Sequence, residues 1–138
     1  MVETKTINLS TGGMTDIVDI TDEVAAAVRE GGITSGIACV FLPGSTGGIT
    51  TIEYEPGLIK DLPEVMERMI PAGKGYHHDA TWGDGNGFSH LRSALIKTSL
   101  TIPFVDKKLL LGTWQQIVFL DFDNRSRKRR LIVQLIGD

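Results

Sequence analysis

The chain has 138 residues, 41% of them hydrophobic and 22% charged, with a net charge of −3. This suits a single domain spanning residues 1–138, large enough to bury about two-thirds of its unfolded surface, and it argues against non-specific nucleic-acid binding. No apolar run approaches bilayer length, "MVETKTINL" lacks the basic and apolar order of a secretory leader, and the lone Cys39 cannot form an internal disulfide, so a cytoplasmic protein is expected.

In chain order, "TKTINLS" alternates as a strand, and "MTDIVDI" is its expected hairpin partner across Gly12-Gly13. Thr21 or Asp22 is the expected cap of a helix through "DEVAAAVREGG", which stops at Gly31-Gly32. The near-continuous apolar run "SGIACVFL" predicts a strand covered on both faces, with Cys39 buried. "ITTIEYE" reads as an alternating strand. "DLPEVMERMI" predicts a helix opened by an Asp61–Glu64 capping box, with Pro63 in its first turn.

Residues 74–93, "KGYHHDATWGDGNGFSHLRS", hold all three histidines and four glycines, and Ser89 is the expected cap of a helix "HLRSALIK". Strands follow at "SLTIPFV" and "KLLLGTWQQIVFLDFD", then a turn at "DNRS" and a last strand "RKRRLIVQLIG". Helices and strands mix without regular alternation. The expected class is α+β, a mostly antiparallel sheet with a few helices packed on it.

The chemistry concentrates in "GDGNGFSH", where a glycine-rich loop enters a helix start. Glycines admit a ligand close to the backbone, and free N–H groups of a first helical turn favour an anion. His90 falls in that turn, where the helix dipole favours neutral imidazole. With His78, Asp84 and Asn86 it could also serve a divalent metal, although the spacing matches no standard zinc motif. The same residues equally suit an exposed loop with Ser89 as its cap.

Ser45, Thr46 and Gly47-Gly48 could present hydroxyls and N–H groups to a phosphate. Glu53 is a candidate acid, base or metal ligand, or simply a solvated carboxylate. Arg127 and Arg129 share one face of the last strand, where a guanidinium could meet a phosphate or decorate a solvated edge. Trp114 reads as core, with Gln115 on the opposite side.

"PGSTGGITTIEYEPG", "HHDATWGDGNGFSHLRSALIKTSLTIPF", "LLLGTWQQIVFLDFD" and "RKRRLIVQLIG" stand in the order found in the YjbQ-like family, the so-called secondary thiamine-phosphate synthases. The resemblance runs from about Lys5 to Gly137. It implies a compact α+β subunit assembling as a homotrimer, with pockets near subunit boundaries. It also implies that His78, Asp84, His90, Glu53 and the Gly112-Thr113-Trp114-Gln115 segment gather around one polar site. Many bacterial relatives carry His-Thr-Ser and Asn-Glu where this chain has Gly44-Ser45-Thr46 and Ile52-Glu53.

The implied reaction joins a pyrimidine-methyl diphosphate to a thiazole phosphate, releasing pyrophosphate. On this resemblance His90, Glu53 and Asp84 are expected to be catalytic. Ser45, Thr46, Asn86, Ser89, Gln115 and Arg129 are expected to hold the phosphorylated substrate. His78 and His90 are the expected ligands of a divalent metal, Mg²⁺ or Zn²⁺. Two other functions fit the same residues: a metal-dependent hydrolase of another phosphorylated metabolite, and a non-catalytic trimeric anion-binding protein.

Overall fold

A computed structural model describes residues 1–138. Its elements are β1 (Val2–Thr11), β2 (Asp16–Asp19), α1 (Thr21–Glu30), β3 (Gly36–Phe41), β4 (Gly47–Ile52), α2 (Pro56–Met69), α3 (Asp79–Trp82), α4 (Gly87–Ile96), β5 (Ser99–Val105), β6 (Lys108–Leu109), β7 (Gln116–Asp121) and β8 (Arg127–Gly137). The strands form two sheets, ordered β1-β8-β3-β5-β6 and β2-β7-β4, with antiparallel pairing throughout. The architecture is α+β.

Strand alternation decides what each sheet buries. In β8, Arg129, Leu131, Val133 and Leu135 point inward, joined by Ile7, Ala38, Val40, Ile102 and Phe104 of the same five-stranded sheet. Facing them are Ile49, Ile117 and Phe119 of the three-stranded sheet, together with Val24, Ala27 and Val28 of α1. β7 is buried on both faces, as its unbroken "IVFLDF" demands. Its other face, Val118, Leu120 and Phe122, packs with Met66 of α2, flanked by Ile59, Leu62, Val65 and Ile96. Each fully buried Phe, Ile or Leu of these layers contributes about 1.5–3 kcal/mol.

Several expectations yield to tertiary packing. β1 and β2 do not form a hairpin. β1 pairs with β8 (Ile7↔Leu131) and β2 with β7 (Ile17↔Leu120), because each finds a longer apolar partner in a different sheet. β3 is covered on one face only. Ile37 and Phe41 are exposed and Cys39 half-buried on the outer side of the five-stranded sheet. Nor does the segment after Lys108 make one strand: β6 ends at Leu109 in the larger sheet, and β7 begins at Gln116 in the smaller.

Neither Thr21 nor Asp22 caps α1. The Asp19 carboxylate accepts from the Thr21 N–H at 3.0 Å, while the Thr21 hydroxyl accepts from the Ile117 N–H at 2.8 Å. α2 starts six residues earlier than its Asp61 signal suggests. Glu55 accepts from the Gly57 and Leu58 N–H groups, and Pro56 opens the helix. Pro63 therefore lies inside α2, a cost of about 3 kcal/mol offset by the apolar stripe the longer helix buries.

Candidate functional site

The segment 74–93 closes on itself through Asp79. One carboxylate oxygen accepts from the Gly87 N–H at 2.9 Å and the other from the Tyr76 N–H at 3.1 Å. These bonds, Gly87's first and Tyr76's second, hold the Asp79 carboxyl below its usual range. Between them the chain makes the four-residue α3 and turns at Gly83, whose φ of 72° suits glycine. Gly87 permits the close approach, since a β-carbon there would lie 2.9 Å from the Asp79 carboxylate and from the Tyr76 β-carbon. The consequence is geometric: His78 is pressed onto the first turn of α4.

There the rings of His78 and His90 lie 4.2 Å apart, tilted by 36°. Burial, and then the neighbouring His78, hold His90 below the ordinary histidine range, against the pull of Asp123 and Asp84. Neutral imidazole at pH 7 follows. Two polar atoms here are buried without a partner, His78 Nδ1 and Asn86 Oδ1, the latter on a residue only 8% exposed. Beside them opens a cleft of about 230 Å³ lined by Gly44, Ser45, His90, Ser93, Lys97 and Thr98, with Ala94 at its wall.

Beneath the histidines lies a buried charge network. Asp121 is 0% exposed and sits where β7 ends. Arg129 donates to both its oxygens at 2.8 Å, and Thr11 donates a further hydrogen bond. Burial alone would raise the Asp121 pKa; the Arg129 and Thr11 bonds, the Asp123 N–H and the guanidinium charge outweigh it, and the net direction is down. Asp123, 1% exposed, accepts from Asn86 at 3.3 Å, from Thr46 at 3.3 Å and from Arg127 at 2.8 Å. It ties the glycine-rich loop, the Ser45-Thr46 turn and β8 together under His90.

This arrangement sorts the residues proposed from sequence. His78, His90, Asp84, Asn86 and Ser45 share one end of the molecule, Asp84 near enough for its charge to act on His90. Thr46, Ser89 and Arg129 share it too, but Thr46 and Ser89 bond inward and Arg129 gives its Nε and Nη2 to Asp121 and Thr46. Thr46 accepts from Arg129 at 2.8 Å, and Ser89, fully buried, donates to the Phe122 carbonyl and so is no helix cap. Arg129 is 7% exposed because β8's alternation aims it with Leu131 and Val133 into the space between the sheets.

Glu53 and Gln115 are elsewhere. β4 runs from Gly47, opposite Asp121, to Ile52, opposite Gln116, so Glu53 is roughly 20 Å away at 3.3 Å per residue. Gln115 is exposed; its amide donates to Thr51 at 3.3 Å and its oxygen accepts from the Gly112 N–H at 2.8 Å. Trp114, read as core, is 71% exposed in the loop before β7. With no strand to alternate, nothing turns the indole inward.

The donor set also bears on a metal. No group of three or more His, Cys, Asp or Glu side chains is placed to hold one. Two imidazoles fall short of the three protein ligands of a catalytic zinc site. Sequence reasoning missed Asp79, Asp121, Asp123 and Lys97. For the two strand-end aspartates a signal existed: "FLDFD" sets carboxylates two apart at the end of a doubly buried strand, where an unpaired charge could not stay.

No helix is long and apolar enough to cross a membrane. The sequence profile of the UPF0047 protein YjbQ-like family matches residues 5–138. A UPF0047 protein of Archaeoglobus fulgidus is 40% identical over 130 residues, 94% of this chain and 98% of that one. UPF0047 protein YugU of Bacillus subtilis is 33% identical, covering 96% of this chain and 98% of its own. Among solved structures, a YbjQ-like protein of unknown function from Sulfolobus solfataricus superposes with a TM-score of 0.94 at 30% identity, over 100% of this chain and 99% of that one. A YjbQ/UPF0047 family protein of Clostridium acetobutylicum gives 0.87 at 34%, over 96% and 99%. This chain belongs to the YjbQ-like UPF0047 family.

Proposed function

We propose that the chain is a transferase acting on phosphorylated precursors at the His90 cleft, joining a pyrimidine-methyl diphosphate to a thiazole phosphate. One observation carries this reading: a neutral, half-buried His90, its ring 4.2 Å from that of His78, lines a cleft with Ser45 and with Lys97 at the end of α4. A diphosphate fits such a place. The Ser45 hydroxyl and the His90 ring N–H donate hydrogen bonds to its oxygens, and Lys97 lines the same cleft.

In the reaction the bond between the pyrimidine methylene carbon and the diphosphate oxygen breaks, and its electron pair leaves with pyrophosphate. The thiazole nitrogen lone pair makes the new carbon–nitrogen bond, so no proton need be removed from that nitrogen. His90 donates from its ring N–H to the departing diphosphate, stabilising charge as it develops. Asp84 is the exposed carboxylate that would hold a Mg²⁺ arriving with the diphosphate, an ion that takes most of its ligands from phosphate and water and would neutralise the leaving group. A zinc-dependent hydrolase with His78 and His90 as ligands is less well supported, since the chain brings no third ligand to them.

We further propose that the working form is a homotrimer. Glu53 and Gln115, at the opposite end of the sheet, can then reach the cleft only from a neighbouring copy. The test is formation of thiamine phosphate from both precursors, with His90→Ala assayed alongside. Product that requires both precursors and His90 supports the proposal. Absence of turnover, or turnover indifferent to His90, refutes it.

A further inference from the structure

The end of α4 holds a conformational anomaly beside the cleft. Lys97 has φ 82° and ψ 156°, a region that is essentially glycine's alone. Its backbone is pinned on both sides: its N–H donates to the Ser93 carbonyl at 2.8 Å, and its carbonyl accepts from the Ile49 N–H at 3.1 Å. These bonds fix the exit from α4 toward β5, and a glycine would make both of them without strain. Something other than the backbone therefore accounts for a side chain at this position.

The charge distribution supplies a reason. Around the histidines the arginines are already neutralised, Arg129 by Asp121 and Arg127 by Asp123. Lys128 and Arg130 line a different groove, with Asn8 and Ser10. Lys97 alone brings a permanent positive charge to the cleft of His90 and Ser45, and no ion pair of the chain takes up its ammonium. An anion held by neutral His90 and uncharged donors needs such a counter-charge.

We propose that Lys97 is the anion-anchoring residue of this cleft, retained in a glycine conformation because its ammonium binds a phosphate or diphosphate group. The assignment rests on the cleft being the phosphate site proposed above. It makes an unusual demand, that one substitution both strengthen the fold and weaken binding.

The experiment uses inorganic pyrophosphate as the probe, with titration calorimetry and thermal unfolding on wild type, Lys97→Gly and Lys97→Arg. Expected are a melting temperature raised by about 3 °C or more in Lys97→Gly and a pyrophosphate affinity lowered about tenfold or more. Lys97→Arg, which keeps both charge and strain, should bind within a few-fold of wild type. Unchanged affinity in Lys97→Gly, with wild type binding and His90→Ala not, would overturn the role of Lys97 while leaving the phosphate site standing. A wild type that binds no pyrophosphate would overturn both. A Lys97→Gly variant that loses binding without gaining stability would remove the strain from the account.

Discussion

At one end of the three-stranded sheet, Asp121, Asp123, Arg129 and Thr46 are buried in one hydrogen-bonded network beneath two stacked histidines. At the other end, Trp114, Gln115 and Glu53 stand in solvent, joined to the sheet through a single side-chain bond to Thr51. The two ends belong to the same strands. They differ because the first must close the gap between the sheets and the second need not. Charge placed where sheets meet has to be paired, and pairing makes it structural. On the proposed function, the residues that meet the ligand are those just outside the network: His78, His90, Ser45 and Lys97.

The contrast is most easily broken at Arg129. Arg129→Ala leaves Asp121 buried and unpaired, and should lower stability by about 3–5 kcal/mol in chemical denaturation. A variant as stable as wild type would mean the network is ornamental and the guanidinium is free for ligand. Gly87→Ala should come next, costing about 1–3 kcal/mol as Asp79 and Tyr76 are forced away. It should also lower pyrophosphate affinity, because His78 moves with them; unaltered binding would separate the loop closure from the site.

Acidification sharpens the same comparison. The Asp121 pKa is lower in the folded chain than its ordinary 3.8. Its contribution to stability is therefore fully present above about pH 3.8 and is lost as pH falls through the lower folded value. Thermal unfolding of wild type and Asp121→Asn across pH 2–5 should show that slope in the wild type and a shallower one in the variant. Equal slopes would remove Asp121 from the account. The smallest effects belong to the exposed end, where Trp114→Ala and Glu53→Gln should each change stability by no more than about 0.5 kcal/mol. A larger loss would show that end to be built into the fold.

Much of this was legible in local pattern. The β8 alternation, the stop of α1 at Gly31, and the glycine-rich entry to α4 are written within a few residues of one another. Even the inward aim of Arg129 follows from its period-two relation to Leu131 and Val133, once one face is known to be core. What local pattern does not carry is pairing. Nothing near Lys5 announces β8, whose residues pair with it across more than a hundred positions, and nothing near Asp16 announces β7. Lys97 escaped for a related reason, since one of the two bonds that pin its backbone comes from Ile49 in β4, far from it in sequence. In the candidate site the histidines were visible as a cluster, whereas the carboxylate beneath them, Asp123, arrives from a distant turn.

On the proposed function, His78 and His90, and not the third histidine, form the ligand site. The most direct test follows the imidazole NMR signals of all three histidines during a pyrophosphate titration, with His77, exposed and lining a separate groove with Lys74 and Tyr76, as the internal control. Saturable, parallel shifts of His78 and His90 are expected while His77 stays still. Shifts of equal size at all three, or none at the pair, would contradict that assignment.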